Sequence, residues 1–223
     1  MKKLLKVLAT GLPLAMGLAV TGPAAAEQVK VGVAAEPYPP FTVPDASGKW
    51  SGWEIDFADA VCAEAKLDCV ITPVSWDGII PALNTKKIDM IVTSMSITAE
   101  REKTIDFTDH YYKVPTLVIG LKDTQFEATP EGLSDKILGV QASTIHQAYA
   151  KKHFEPAGAT IKEYQTQDEA NNDLAAGRVD AVQADQLALQ TFLDSETGSA
   201  CCDIKGSVAP DALGVSRSVD GLV

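Results

Sequence analysis

An apolar run that turns abruptly into hydroxyls raises the first chemical question. Residues 88–109 read IDMIVTSMSITAEREKTIDFTD. Ile88, Met90, Ile91 and Val92 have the pattern of a buried strand over IDMIVTS. Thr93, Ser94, Ser96 and Thr98 follow, and Arg101 comes directly after them. A guanidinium is a planar fork of donors that matches a carboxylate bidentately. Hydroxyls at the carboxyl end of a strand lie where open α/β sheets take their ligands. The array therefore suits a carboxylate. The same residues have a plainer use, because Ser and Thr cap the turns they precede and Arg101 can be a solvated charge. Both uses stay open on these residues alone, and for the hydroxyls they are compatible.

The elements that must position this array alternate strand and helix. VKVGVA reads as a strand. GWEIDFADAVCAEAKL places Ile55, Phe57, Ala58, Val61, Cys62 and Ala65 near one helical face. CVITPV is a second strand, and WDGIIPALNTKK a short helix with Ile79, Ile80 and Leu83 inward. With IDMIVTS this gives βαβαβ, which predicts a parallel sheet with right-handed crossovers. The grammar then repeats. KILGVQAS, TIKEYQ and VDAVQAD are strands; TIHQAYAKKHF, TQDEANNDLAAG (stopped by Gly177) and QLALQTFLDSE are helices. Two α/β lobes follow, with the extended YKVPTLVIGLK as the strand that crosses between them.

Composition bounds the setting. Lys2, Lys3 and Lys6, an apolar run and the small residues ending Ala24-Ala25-Ala26 read as a secretory signal peptide over residues 1–26. Lys6, Gly11 and Pro13 interrupt the run, which is short for a membrane span. Its removal takes three lysines and no acids, so the formal charge goes from −11 to −14. An acidic chain has no basic footprint for nucleic acid. Export makes disulfides available. Cys62 and Cys69 flank AEAKLD, where a bridge or two buried thiols are both readings. Cys201 and Cys202 are adjacent, and adjacent cysteines are expected not to bridge because the geometry is strained. No His shares a metal-ligand spacing with the cysteines, so no metal is expected. His110, His146 and His153 read as surface or packing residues.

The chain resembles the periplasmic solute-binding proteins of polar amino-acid ABC transporters, family 3, most of all the lysine/arginine/ornithine- and histidine-binding group. YPPF (38–41), GWEIDFADAVC (52–62), WDGIIPALNTKKIDMIVTSMSIT with Arg101 (76–101) and IDFTDHYY (105–112) carry the resemblance. LGVQAST (138–144) and DLAAGRVDAVQAD (173–185) extend it over nearly all of the exported chain. The resemblance implies an α/β, two-lobed, type II periplasmic-binding-protein fold with a hinge and an interlobe cleft. Lobe 1 is expected over 27–115 and 207–223, lobe 2 over 116–206, with hinge strands near 113–119 and 203–210. It also implies a Cys62–Cys69 disulfide, a monomer, a free amino acid as ligand, an inner-membrane ABC permease as partner, and no cofactor.

The family's residues carry over one by one. Arg101 takes the ligand's carboxylate with Ser96, Ser94, Thr93 and, from lobe 2, Thr144 at a helix N-terminus. Asp185 takes the α-ammonium, though on sequence it equally reads as an N-cap. Tyr38 and Trp76 form aromatic walls on which a basic stem stacks by cation–π contact. Glu36 is the acid for the far end of a basic ligand. The group usually places that acid one residue earlier, at Ala35, so glutamine, histidine or an opine remain alternatives to a basic amino acid.

Relatives end with a helical segment on the first lobe. Here CCDIKGSVAPDALGVSRSVDGLV crosses back, LGVSRSV reads as the returning strand, and Val223 follows closely. The expectation is a first lobe lacking its terminal helices. Two other functions share the fold. An exported cyclohexadienyl-dehydratase-like enzyme needs a general acid in the cleft, and only Glu36 and Asp185 qualify. Neither a G-x-S-x-G elbow nor a Cys–His pair occurs, so no catalytic residue is expected. A receptor's sensing module is the other.

Overall fold

A computed structural model of the chain describes residues 28–208 and the backbone of strand 216–220. The signal peptide expected at 1–26 lies outside the described residues, as do 209–215 and 221–223. In chain order the first lobe comprises β1 (Val29–Ala34), a hairpin of β2 (Val43–Pro44) and β3 (Trp50–Ser51), α1 (Trp53–Ala65), β4 (Cys69–Val74), α2 (Ile79–Asn84), β5 (Met90–Ile91) and β6 (Phe107–Lys113). The second lobe comprises β7 (Thr116–Leu121), β8 (Ile137–Gln141), α3 (Ile145–His153), β9 (Thr160–Tyr164), α4 (Gln167–Ala175), β10 (Ala181–Asp185), α5 (Gln186–Leu193), α6 (Glu196–Cys201) and β11 (Cys202–Val208). Strand β12 (Ser216–Asp220) returns to the first lobe.

Each lobe is one five-stranded sheet, ordered β4-β1-β5-β12-β6 and β11-β7-β10-β8-β9. The βαβ units are parallel as expected: β1 pairs β4 and β5, and β8 pairs β9 and β10. The sheets as a whole are mixed, because further strands join the parallel βαβ units. β7 and β11 pair antiparallel with their neighbours, and β12 runs antiparallel to β5 and β6. These are strands that carry the chain between lobes: β7 and β12 enter their sheets at the cleft end, and β11 leaves its sheet there. The crossing is not one continuous strand, since β6 ends at Lys113 and β7 begins at Thr116, leaving Val114-Pro115 between the sheets. Proline fixes φ and cannot donate to a ladder.

Alternate residues of each central strand feed opposite layers. Ile91 packs with Ile79, Leu83 and Met95, while Met90 packs with Val31, Ala58 and Cys62 on the other face. In the second lobe Val182 joins Leu117, Ile119 and Leu189, and Ala181 joins Val118, Leu138 and Val140. Cys62 and Cys69 are bridged, tying the end of α1 to the start of β4. Cys201 and Cys202 are also bridged, against the expectation for adjacent cysteines. Their place explains how: α6 ends at Cys201 and β11 starts at Cys202, so the backbone changes direction between them.

Strand β5 is shorter than IDMIVTS suggests. Val92 still donates to Gly32 O at 2.9 Å. Beyond it side chains replace the ladder: Ala34 N donates to Thr93 Oγ1 at 2.9 Å, and Ser94 N to Glu54 Oε1 at 2.5 Å. Among the described residues no helix is long and apolar enough to cross a membrane.

Candidate ligand-binding cleft

The carboxyl ends of parallel strands from both lobes meet at one cleft. β1 delivers Glu36 and Tyr38, β4 delivers Trp76, and β5 delivers Thr93, Ser94, Ser96 and Arg101. From the second lobe β8 delivers Gln141 and Thr144, β9 leads to Gln167, and β10 ends at Asp185. This is where open α/β sheets place ligands, because the loops there point one way and helix N-termini face the gap. The cleft encloses about 530 Å³, part of it open to solvent. All nine residues singled out in the sequence line it: Glu36, Tyr38, Trp76, Thr93, Ser94, Ser96, Arg101, Thr144 and Asp185.

Arg101 is fixed by two carbonyls and a ring. Nη1 donates to Ser96 O at 2.8 Å, Nη2 donates to Ser143 O at 3.1 Å, and the guanidinium carbon lies 5.5 Å from the centre of the Trp76 ring. Trp76 Nε1 donates to the same Ser143 carbonyl at 3.2 Å. Two donors from lobe 1 thus converge on one turn of lobe 2. Ser143 adopts φ 59°, a left-handed conformation, and its N–H donates to Gln147 Oε1 at 2.9 Å.

Thr144 caps α3, accepting from Gln147 N at 3.2 Å and donating to Gln141 O at 2.7 Å. Its hydroxyl proton is therefore committed, and what it and the helix present to the cleft is the positive end of the α3 dipole. Asp185 also occupies an N-cap position, on α5, but makes no capping bond. Its carboxylate is 1 % exposed and faces the cleft instead. Tyr38 donates its hydroxyl proton to Oδ2 at 2.8 Å from the other lobe, and His146 Nε2 lies 3.3 Å from Oδ1. His146 is buried, as the packing alternative has it, and it also lines the cleft. A histidine just inside a helix start carries no sequence signal that separates the two.

Glu36 accepts from Trp76 N at 3.0 Å, which holds its carboxylate beside the Trp76 loop. Ser96 Oγ is buried and makes no hydrogen bond within the protein. Ser94 is differently used: it adopts φ 54°, and its hydroxyl engages Glu54 Oε1 at 2.9 Å and Tyr112 OH at 2.6 Å. Glu54 also accepts from Tyr111 OH at 2.6 Å. Glu54, Gln141 and Gln167 were not singled out in the sequence. Glu54 sits in the first turn of α1, where an acid normally reads as a solvated complement to the helix dipole. Among the described residues no group of three or more His, Cys, Asp or Glu could hold a metal ion.

Known proteins resemble this chain in sequence and fold. The family profile of bacterial extracellular solute-binding proteins, family 3, matches residues 29–196. The L-arginine-binding protein of Pseudomonas aeruginosa is 38 % identical over 176 residues, covering 78 % of this chain and 68 % of that protein. The histidine-binding periplasmic protein of Escherichia coli K12 is 36 % identical over 200 residues, covering 89 % and 76 %. Among solved structures, an ancestral arginine-binding protein bound to arginine superposes with a TM-score of 0.79 at 31 % identity, covering 87 % of this chain and 84 % of that one. With the two-lobed sheets and the cleft between them, these matches show that the chain belongs to the bacterial extracellular solute-binding proteins of family 3.

Proposed function

We propose that the cleft binds a free basic L-amino acid, arginine first, in the periplasm and that closure about the hinge presents it to an inner-membrane ABC permease. The observation that carries this reading is the charge layout of one cleft. A guanidinium, Arg101, comes from lobe 1, and a buried carboxylate, Asp185, comes from lobe 2. A zwitterion bound between them satisfies both and so bridges the two lobes. Glu36, which accepts from the Trp76 backbone N–H, supplies the third charge, for a cationic side chain. The L-arginine-binding and histidine-binding relatives agree with a basic or polar ligand. Arg101 takes the carboxylate with Ser96 and the start of α3, Asp185 takes the α-ammonium, and Tyr38 and Trp76 flank the stem. Ser94 and Thr93 shape the wall, since their side-chain oxygens are already engaged with Glu54 and Ala34 N.

A thermal-shift and calorimetric series tests it, using the exported chain from Glu27 against arginine, lysine, ornithine, histidine and glutamine. Ligand at 100 times its Kd adds about 2.7 kcal/mol to stability. Arginine should give the largest rise in Tm. Arg101→Ala removes a charge-assisted fork and should weaken binding about 100-fold. A cooperative melt that none of the five compounds moves would sink the reading.

A further inference from the structure

We propose that His146 is a proton-linked positioning residue of the cleft: its imidazolium pairs with Asp185 in the ligand-free protein, and a ligand's ammonium, arriving on that carboxylate, displaces one proton from the ring to solvent. The inference rests on the reading above, in which Asp185 anchors the α-ammonium. His146 is the second residue of α3 and is 4 % exposed. It lines the cleft with Asp185, and its Nε2 lies 3.3 Å from Asp185 Oδ1. Nδ1 is buried and makes no hydrogen bond among the described residues. The polar atoms of a buried side chain usually find partners, so packing alone does not account for this ring. Its polar contact among the described residues is the same carboxylate that the ligand's ammonium requires.

Two charges act on the ring in opposite senses. The start of α3 presents about half a positive charge, which repels an imidazolium. Asp185 presents a full negative charge at contact distance, and that attraction is the larger effect. The other ionisable groups lining the cleft are Glu36, Tyr38 and Arg101, all from lobe 1. Tyr38 donates to the other carboxylate oxygen, Oδ2, while Arg101 is held by the Ser96 and Ser143 carbonyls and Glu36 by Trp76 N. From lobe 2, β8 and α4 bring Gln141 and Gln167, which carry no charge. Asp168 and Glu169 in the first turn of α4 do not line the cleft, and Lys151, Lys152 and His153 lie in the last turn of α3. A ligand ammonium on Asp185 reverses the balance, because it takes up the carboxylate's charge and places a like charge beside the ring. The Nε2 proton then passes to solvent, the ring keeps its Nδ1 proton, and the Nε2 lone pair faces the ammonium as an acceptor. The ligand-free protein thus holds one proton more than the complex. Affinity therefore rises with pH and falls as pH drops through the range where imidazoles charge, about pH 5 to 8.

Titration calorimetry of the exported chain with L-arginine, run in pairs of buffers with different heats of ionisation, counts the protons released. Wild type should release about 0.5 proton or more per arginine near about pH 6 and fewer than about 0.1 near about pH 8. Its Kd should rise about tenfold from about pH 7.5 to about pH 5.5. His146→Gln keeps a donor and an acceptor but cannot charge, so its release near about pH 6 should fall below about 0.1 proton and its Kd should follow pH by less than about twofold. Nitrogen NMR shifts of the imidazole are a second readout that leaves His146 in place. In the double variant His110→Gln, His153→Gln the remaining ring should be imidazolium near about pH 6 without arginine and neutral with it. Arginine binding with no proton released, with equal release from wild type and His146→Gln, or with the His146 ring in one charge state throughout, overturns the proton linkage while the basic-amino-acid reading stands. Failure of arginine to bind wild type at any of these pH values overturns both.

Discussion

Glu54 shows how a buried charge can shape a site without touching its ligand. Its carboxylate is 1 % exposed and takes protons from Ser94 N, Ser94 Oγ and Tyr111 OH. Ser94 sits at φ 54°, which costs a non-glycine residue about 1–2 kcal/mol, and two of these bonds hold it there. That turn sets the course of the chain from Thr93 to Ser96 along the cleft wall. Glu54→Gln keeps an acceptor but loses the charge, so each bond falls from the charged to the neutral class. We expect a loss of about 2 kcal/mol in denaturant unfolding together with a raised Kd for ligand. Unchanged stability would mean that the carboxylate is protonated and acts as an ordinary amide-like group. Arg101, Ser96 and Asp185 stood out as a charge or hydroxyl at the end of an apolar strand, and the resemblance, not that pattern, implied that they share a cleft, which all three line. Glu54 did not stand out, since an acid in the first turn of a helix is what any solvated helix shows, and only the packing of Tyr111 and Ser94 over it sets it apart.

Helices and parallel strands were legible for a related reason. Their periodicity is local, so VKVGVA, CVITPV and the face bearing Ile55, Ala58 and Cys62 could be read directly. The antiparallel pairing of β6, β7, β11 and β12 depends on where the chain crosses between lobes, which no local period records; the resemblance is what placed strands near 203–210 and at LGVSRSV, and the Cys201–Cys202 bridge depends on the turn between α6 and β11. On α4, Asp173 gathers an element-level network: Arg178 and Lys162 pair with it, and Tyr164 donates to it at 2.6 Å. Hydrogen bonds from Arg178, then Lys162 and Tyr164, hold its carboxyl well below the usual aspartate range. A carboxyl more acidic in the folded than in the unfolded chain stabilises the fold at every pH above its unfolded value, near 3.8. That stabilisation fades as pH falls from there towards the folded value. Asp173→Asn should therefore melt below wild type at pH 7, and the two curves should converge as melts are repeated below pH 3.8. A gap that is constant across that range would assign the loss to packing of α4 rather than to charge.

At the scale of the molecule, what joins the lobes across the cleft is a small set of directional bonds. Tyr38 reaches Asp185, and Trp76 and Arg101 both reach the Ser143 carbonyl. The covalent links run through Val114-Pro115 and through the segment between β11 and β12, and Gln186 N donates to Pro115 O at 2.8 Å. Asp185 thus precedes a residue bonded to the crossing itself. Each hydrogen bond contributes about 1 kcal/mol net, so Tyr38→Phe with Trp76→Phe should shift the closed-to-open ratio by about 30-fold while an aromatic ring remains at each position. A ligand that needs both lobes binds the closed form, and its apparent Kd is the intrinsic value divided by the closed fraction. Solution scattering without ligand should then show a larger radius of gyration for the double variant than for wild type. Saturating arginine should bring the two together at a higher arginine concentration for the variant. If the ligand-free radii coincide and only the Kd moves, the two side chains act as ligand contacts alone, and the lobes are held together by the hinge rather than across the cleft.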